Sequence, residues 1–290
     1  MSDNEIDDRK APLMEHLIEF RNRLVYSVVA LVIAFILCYL VSEELFAFLV
    51  KPLVSAYGDD VEGRRMIFTG LHEAFFTYLK VAFFAGIFLA FPVIAAQLWI
   101  FVAPGLYKNE KRAFLPFLIA TPILFFLGGA LAYGMVMPLA WKFLLSFETG
   151  GGPSLYAQAF AAIAGEFPNF AAYLPTPAET TALPIQSETR VSEYLSLSMQ
   201  LIFAFGLCFQ LPVLLTLLGR VGIVTSAGLK SKFKYAIVGT FILAAILTPP
   251  DPLSQITLAV PLVMLYGISI VTVGMIEKRR EAQDAAEDTV

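Results

Sequence analysis

The stretch LVYSVVALVIAFILCYLV, residues 24–41, runs for eighteen residues without a charge or a proline. A helix of that length rises about 27 Å, close to the roughly 30 Å hydrocarbon thickness of a bilayer. The stretch is apolar on all sides, so it has no face to turn to water, and a strand would need alternating polar positions and a closed barrel. Runs of the same kind recur over 74–102, 113–131, 195–218, 233–247 and 253–275, bounded by charge or proline. With 58% hydrophobic and 15% charged residues in 290, the chain has lipid rather than water as its main solvent. The fold expected is an all-α polytopic membrane protein with six transmembrane helices. It forms one membrane domain over 1–275, followed by a polar tail over 276–290.

Six spans put both ends on one side, and the basic residues say which. Arg9, Lys10, Arg21 and Arg23 precede the first span, Lys108, Lys111 and Arg112 follow the second, and Arg220, Lys230, Lys232 and Lys234 follow the fourth. Lys278, Arg279 and Arg280 follow the last. The opposite connections hold fewer, namely Lys51, Arg64, Arg65, Lys142 and Arg190. The positive-inside rule therefore places both termini in the cytosol. Trp99 and Trp141 are expected at the two interfaces, where an amphipathic indole is favoured.

The third connection, 146–193, is much longer than the others and is broken up by Gly150 to Gly152 and by Pro168, Pro175, Pro177 and Pro184. Its segment 154–167 is expected to form a short helix on the outer face. The fifth span, 233–247, rises only about 22 Å as a helix and cannot cross a normal bilayer without local thinning or shielding by other protein. The acidic start, MSDNEIDDRK, lacks the basic n-region of a signal peptide, so the first span is expected to remain in the protein.

Several chemistries are excluded or unsupported. Cys38 and Cys208 both lie in apolar runs and offer neither a disulfide framework nor metal-ligand spacing. No basic block points to nucleic acid at a net charge of −4. There is no HExxH, G-x-S-x-G, P-loop or Gly-rich dinucleotide turn, and the two histidines, His16 and His72, fall on opposite sides of the expected membrane. The chain thus reads as a non-enzyme without a cofactor. Two cytosolic segments stand out. In HLIEFRNRL, residues 16–24, Leu17, Phe20 and Leu24 form one helical stripe and Glu19 and Asn22 fall on another, with Glu19 able to pair with Arg23 at i,i+4. In QLWIFVAPGLYKNEKRAF, residues 97–114, Glu110 sits among Lys108, Lys111 and Arg112, and Pro104 with Gly105 predicts a tight turn.

The blocks HLIEFRNRL (16–24), PVIAAQLWIFVAPGLYKNEKR (92–112), AFGLCFQLPV (204–213) and LTPPDPLSQ (247–255), in this order, resemble the signature blocks of the TatC family. The resemblance spans about 12–275. It implies a concave bundle with short fifth and sixth spans, serving as receptor and core scaffold of the twin-arginine protein translocase in the bacterial inner membrane. That machinery exports folded proteins at the expense of the proton motive force. It implies that Glu19 and Glu110 recognise the arginine pair of a signal peptide, with Arg21, Phe101 and Leu106 beside them. It further implies that Pro52, Asp251 and Gln255 are outer-face positions linked to transport. The partners implied are twin-arginine signal peptides, single-span proteins of the TatA and TatB type, and further copies of this chain in the receptor complex. A carboxylate pair suits two guanidinium forks, which donate paired charge-assisted hydrogen bonds to carboxylates better than lysines do.

Two positions depart from the family pattern. Gln210 stands where the family commonly has a glutamate, leaving either an amide satisfied between helices or a partner-docking group. The connection around 150–193 also exceeds the usual length. A secondary transporter for a small solute is the alternative, with Lys80, Gln200 and Gln210 as its intramembrane polar residues.

Overall fold

The computed structural model describes residues 3–58, 64–106, 111–145, 188–247 and 252–287. The expected outer helix over 154–167 lies outside these residues, as do Glu110 and Asp251. Regular structure among them is helical apart from one isolated parallel bridge between Ile67 and Arg190. In chain order the helices are α1 (Asp3–Leu40), α2 (Ser42–Tyr57), α3 (Glu73–Leu106), α4 (Lys111–Leu131) and, after a π turn at Ala132–Val136, α5 (Met137–Leu145). They continue with α6 (Val191–Cys208), α7 (Leu211–Val221), α8 (Ser226–Ser231), α9 (Phe233–Leu247) and α10 (Pro252–Glu287). Five stretches among the described residues are long and apolar enough to cross a membrane: His16–Leu40, Glu73–Phe101, Pro116–Leu145, Val191–Val221 and Gln255–Arg280. Phe233–Leu247 is apolar but has only 15 residues.

The structure differs from the sequence expectations at three places, each with a local cause. The chain after the first span forms a helix, α2, whose Leu49, Pro52 and Leu53 are buried. Pro104 and Gly105 do not make a turn; they lie inside α3, since a proline near a helix end forfeits only the bond to the carbonyl four residues back and the helix stops at Leu106. The third span does not end at Leu131, because the π turn carries it into α5 without a break. Trp141, one turn before the end of α5, is 5% exposed with its ring 5.0 Å from that of Tyr194, so it packs against α6.

Pro212 has no N–H to give the Cys208 carbonyl, which ends α6 and leaves Phe209 and Gln210 as a non-helical joint before α7. Pro52 acts in the same way within α2. Its missing N–H frees the Phe48 carbonyl, which accepts the Tyr133 hydroxyl at 2.8 Å while the Phe48 and Tyr133 rings stack at 4.3 Å. Next to it, the Tyr194 hydroxyl donates to the Leu49 carbonyl at 2.7 Å.

Burial in a bilayer yields little transfer energy, so close helix contact and dispersion hold such a bundle together. α1 lies along α3, and a Cβ on Gly86 would stand 2.9 Å from the Phe35 Cα. α4 lies on α6, where a Cβ on Gly128 would meet the Phe205 carbonyl oxygen at 2.6 Å. Between them Phe125 is fully buried, its ring stacked on Phe91 at 3.6 Å. The main core gathers Val81, Val136, Met137, Leu201, Phe205 and Leu258 from α3, the π turn, α5, α6 and α10.

Candidate functional site

α1 carries HLIEFRNRL as the direct helical extension of the first span, so its polar and apolar stripes keep their register up to the membrane segment. On the α3 side, Glu19 Oε1 accepts from Arg23 Nη2 at 3.3 Å, and Arg23 Nη1 donates onward to Gln97 Oε1 of α3 at 3.3 Å. The ion pair is about one-third exposed at each side chain. Glu19 Oε2 has no hydrogen bond among the described residues. Ile18, Glu19, Asn22, Arg23 and Tyr26 line an open cavity of about 400 Å³.

One turn from Glu19 the aromatic contacts begin. His16 stacks on Phe101 with ring centroids 4.4 Å apart, and Phe20 meets the same ring at 5.3 Å. Phe101 therefore packs on the same stretch of α1 that carries Glu19, whereas the Arg21 guanidinium turns to Asn22 Oδ1 at 3.1 Å and is exposed. The α3 backbone continues past Phe101 to Leu106, whose side chain lies outside the described residues, and α4 starts at Lys111, the residue after Glu110.

The remaining site candidates are spread out. Gln210 gives its amide to the Thr121 carbonyl of α4 at 3.0 Å, and Trp99 Nε1 donates to Thr121 Oγ1 at 2.8 Å. Trp99 is thus tied to the neighbouring span by a polar chain that ends on the Phe117 carbonyl, 2.7 Å from Thr121 Oγ1. Gln255 Nε2 donates to the Phe241 carbonyl at 3.1 Å and joins α10 to α9. Pro52 is buried in α2. Among the described residues no group of three or more His, Cys, Asp or Glu could hold a metal.

Sequence reading passed over Gln97 and the ring of His16 as site members. The signal for Gln97 was there, a lone amide within the apolar run 92–102, but only its partner Arg23 gives it a role. Glu73 was also missed. Its carboxylate accepts the Thr69 and Gly70 N–H groups at 2.7 and 3.1 Å and so fixes the start of α3.

Residues 15–261 match the family described as Sec-independent protein translocase protein (TatC). The Sec-independent protein translocase protein TatC of Magnetococcus marinus is 48% identical over 281 residues, covering 97% of this chain and 90% of that one. The corresponding proteins of Rickettsia prowazekii and Escherichia coli K12 are 41% and 34% identical, covering 92% and 89% of this chain and 94% and 86% of theirs. A crystal structure of the twin-arginine translocase receptor TatC superposes with a TM-score of 0.67 at 32% identity, covering 90% of this chain and 99% of that one. On a family match over most of its length, on relatives well above 30% identity and on a shared helical architecture, this chain belongs to the TatC family of Sec-independent protein translocase proteins.

Proposed function

We propose that this chain is the signal-peptide receptor and core scaffold of a twin-arginine translocase in the bacterial inner membrane, with six spans and both termini in the cytosol. The observation that carries the reading is the state of Glu19: one oxygen engaged by Arg23, which Gln97 also holds, and the other without a partner among the described residues at the mouth of an open cavity. An incoming guanidinium finds an acceptor already oriented and does not have to break the Arg23 contact. The apolar stretch of the peptide then has the Phe20 and Phe101 rings and the exposed length of α1 to lie against. Glu110, which precedes α4 and is read from the sequence as cytosolic, supplies the second carboxylate.

Single-span partners of the TatA and TatB type dock along the thin edge made by α9 and α10. α9 rises only about 22 Å against a layer of roughly 30 Å, which thins the bilayer locally, and most of its side chains are exposed. Further copies of the chain complete the receptor complex, and the proton motive force supplies the energy. The solute-transporter alternative has less to stand on, since Lys80 and Gln200 are exposed rather than enclosed and the Gln210 amide is taken up by Thr121.

The test is binding of a twin-arginine peptide to the full chain in nanodiscs, with a Lys-Lys peptide as the control. Glu19→Ala and Glu110→Ala are expected to weaken the Arg-Arg peptide roughly 10- to 150-fold, the worth of one charge-assisted hydrogen bond. Unchanged affinity in both variants would refute the site.

A further inference from the structure

From Tyr194 to Pro250 the chain contains no aspartate or glutamate, yet it carries Lys230, Lys232 and Lys234 within one short stretch. These three lysines stand where α8 turns into α9. The Lys232 N–H bonds to the Gly228 carbonyl at 3.2 Å and the Tyr235 N–H to the Lys232 carbonyl at 3.0 Å, so the stretch is folded tightly and its lysines start close together. All three are exposed, and none of their ammonium groups has a hydrogen bond or an ion pair among the described residues. Lys234 Nζ lies 5.1 Å from the ring centroid of Tyr235, which is 67% exposed. The Glu277 carboxylate, on the neighbouring α10, is already held by the N–H and the hydroxyl of Ser226.

This turn is set back from the polar end of α10. The Tyr266 hydroxyl donates to the Leu229 carbonyl at 3.1 Å, the Phe233 and Tyr266 rings are 5.9 Å apart, and Leu229 is buried with Ile270 and Val273. α10 carries no charge from Ile256 to Ile276. Counting helical rise, Lys278 lies about 18 Å past Tyr266 and about 12 Å past Ile270. The lysines therefore stand beside a charge-free run.

We propose that Lys230, Lys232 and Lys234 bind the phosphate of an anionic phospholipid drawn inward at this end of α9. Ammonium groups beside an apolar wall are costly without an anion, and the oxygens of one phosphate accept from several donors at once. A basic recess between spanning helices is a setting that holds anionic headgroups. Depth selects the source. The 15 residues of α9 are too few to match a full bilayer, so the lipid surface dips here, and a phospholipid is kept in that surface by its own chains. A soluble acidic protein would have to push in beside the apolar flank of α10. The exposed Tyr235 ring suits the same interface. The inference requires only that the chain spans a bilayer, and it stands apart from the signal-peptide reading.

The test is native mass spectrometry of the full chain released from nanodiscs of mixed phosphatidylglycerol and phosphatidylcholine. The unaltered protein is expected to retain phosphatidylglycerol in preference to phosphatidylcholine. Each of Lys230→Gln, Lys232→Gln and Lys234→Gln should weaken that retention roughly fivefold, the contribution of one basic residue near a charged bilayer surface. The three together should abolish it, while replacing all three by arginine keeps it. The matched control removes Lys278, Arg279 and Arg280 by the same change to glutamine and should leave retention in place. No preference for phosphatidylglycerol in the unaltered protein overturns the proposal, as does equal loss in the control, which would make the effect one of general surface charge. Release of the lipid by excess inorganic phosphate or by a poly-Glu peptide would make the turn a water-facing anion site and reject the lipid.

Discussion

Glu19 and Pro52 show how little of a residue's role lies in its type. Glu19 pairs with Arg23 as i,i+4 spacing suggests, yet the pair is fixed from outside the helix by Gln97. Because such a partly exposed pair contributes only about 0–1 kcal/mol, Glu19→Ala should leave the melting temperature in detergent unchanged while peptide affinity falls; a large drop in melting temperature would make the carboxylate structural. Gln97→Leu should release Arg23 to swing wholly onto Glu19 and weaken the twin-arginine peptide about threefold or more, through competition for one acceptor, as calorimetry of peptide binding would read. Pro52 is legible as a helix irregularity, but that its missing N–H leaves the Phe48 carbonyl to Tyr133 needs the partner helix. Tyr133→Phe is expected to cost about 0.5–1.5 kcal/mol in the natural background. It should cost about half that or less once Pro52→Ala gives Phe48 an intrahelical donor, so a double-mutant cycle in thermal unfolding should show coupling. Strict additivity would mean that the hydroxyl works independently of the proline.

At the scale of the element, long charge-free runs were readable because composition and length alone decide them, and α9 keeps the expected bounds of 233–247. Helix α2 and the extension into α5 were not readable. The segment 42–57 mixes Glu43, Glu44 and Lys51 with apolar residues in a pattern too weak to separate a helix from a loop, and a π turn leaves no signature in hydropathy. The packing of Trp141 on Tyr194 was hidden for the same reason. Glycines in apolar runs looked interchangeable with alanine; packing makes two of them distinct. Gly128→Val must push α4 off the Phe205 backbone, which cannot yield as a side chain tip would, and should cost about 1–3 kcal/mol. Gly239→Ala, in open space on α9, is the matched control and should be neutral in the same unfolding assay. If both behave alike, the α4–α6 approach is looser than described.

For the whole molecule, the proposed topology puts the α7–α8 turn and both tails on one side and the end of α2 on the other. Single cysteines at Ser231 and at Ser55, both exposed, should therefore label from opposite faces with a membrane-impermeant maleimide; labelling from the same face would remove the six-span reading. The proposed partner docking at the thin edge rests on span length rather than on any side chain. Inserting one apolar turn into α9 should abolish crosslinks from positions 242 and 246 to a single-span partner while the bundle still folds, because matched thickness removes the deformation that gathers partners. The proposed site was suggested by the charge pattern; which helices would share it was not, since that depends on pairings such as α1 with α3 that no single sequence displays.

Those pairings also bear on the order in which the protein is built. The Tyr57 and Thr189 hydroxyls meet at 2.9 Å although 132 positions separate them, and the Ile67 bridge closes beside them. α1 and α3 can pair as soon as the ribosome has delivered both, whereas this closure must wait until the chain has been synthesised as far as Thr189 and Arg190, just before the fourth long span. Closing so distant a loop is slow relative to packing neighbours in sequence. During biosynthesis the chain therefore passes through a stage with a finished α1–α3 hairpin and an unlocked α2, which is the stage at which quality-control proteases would find it.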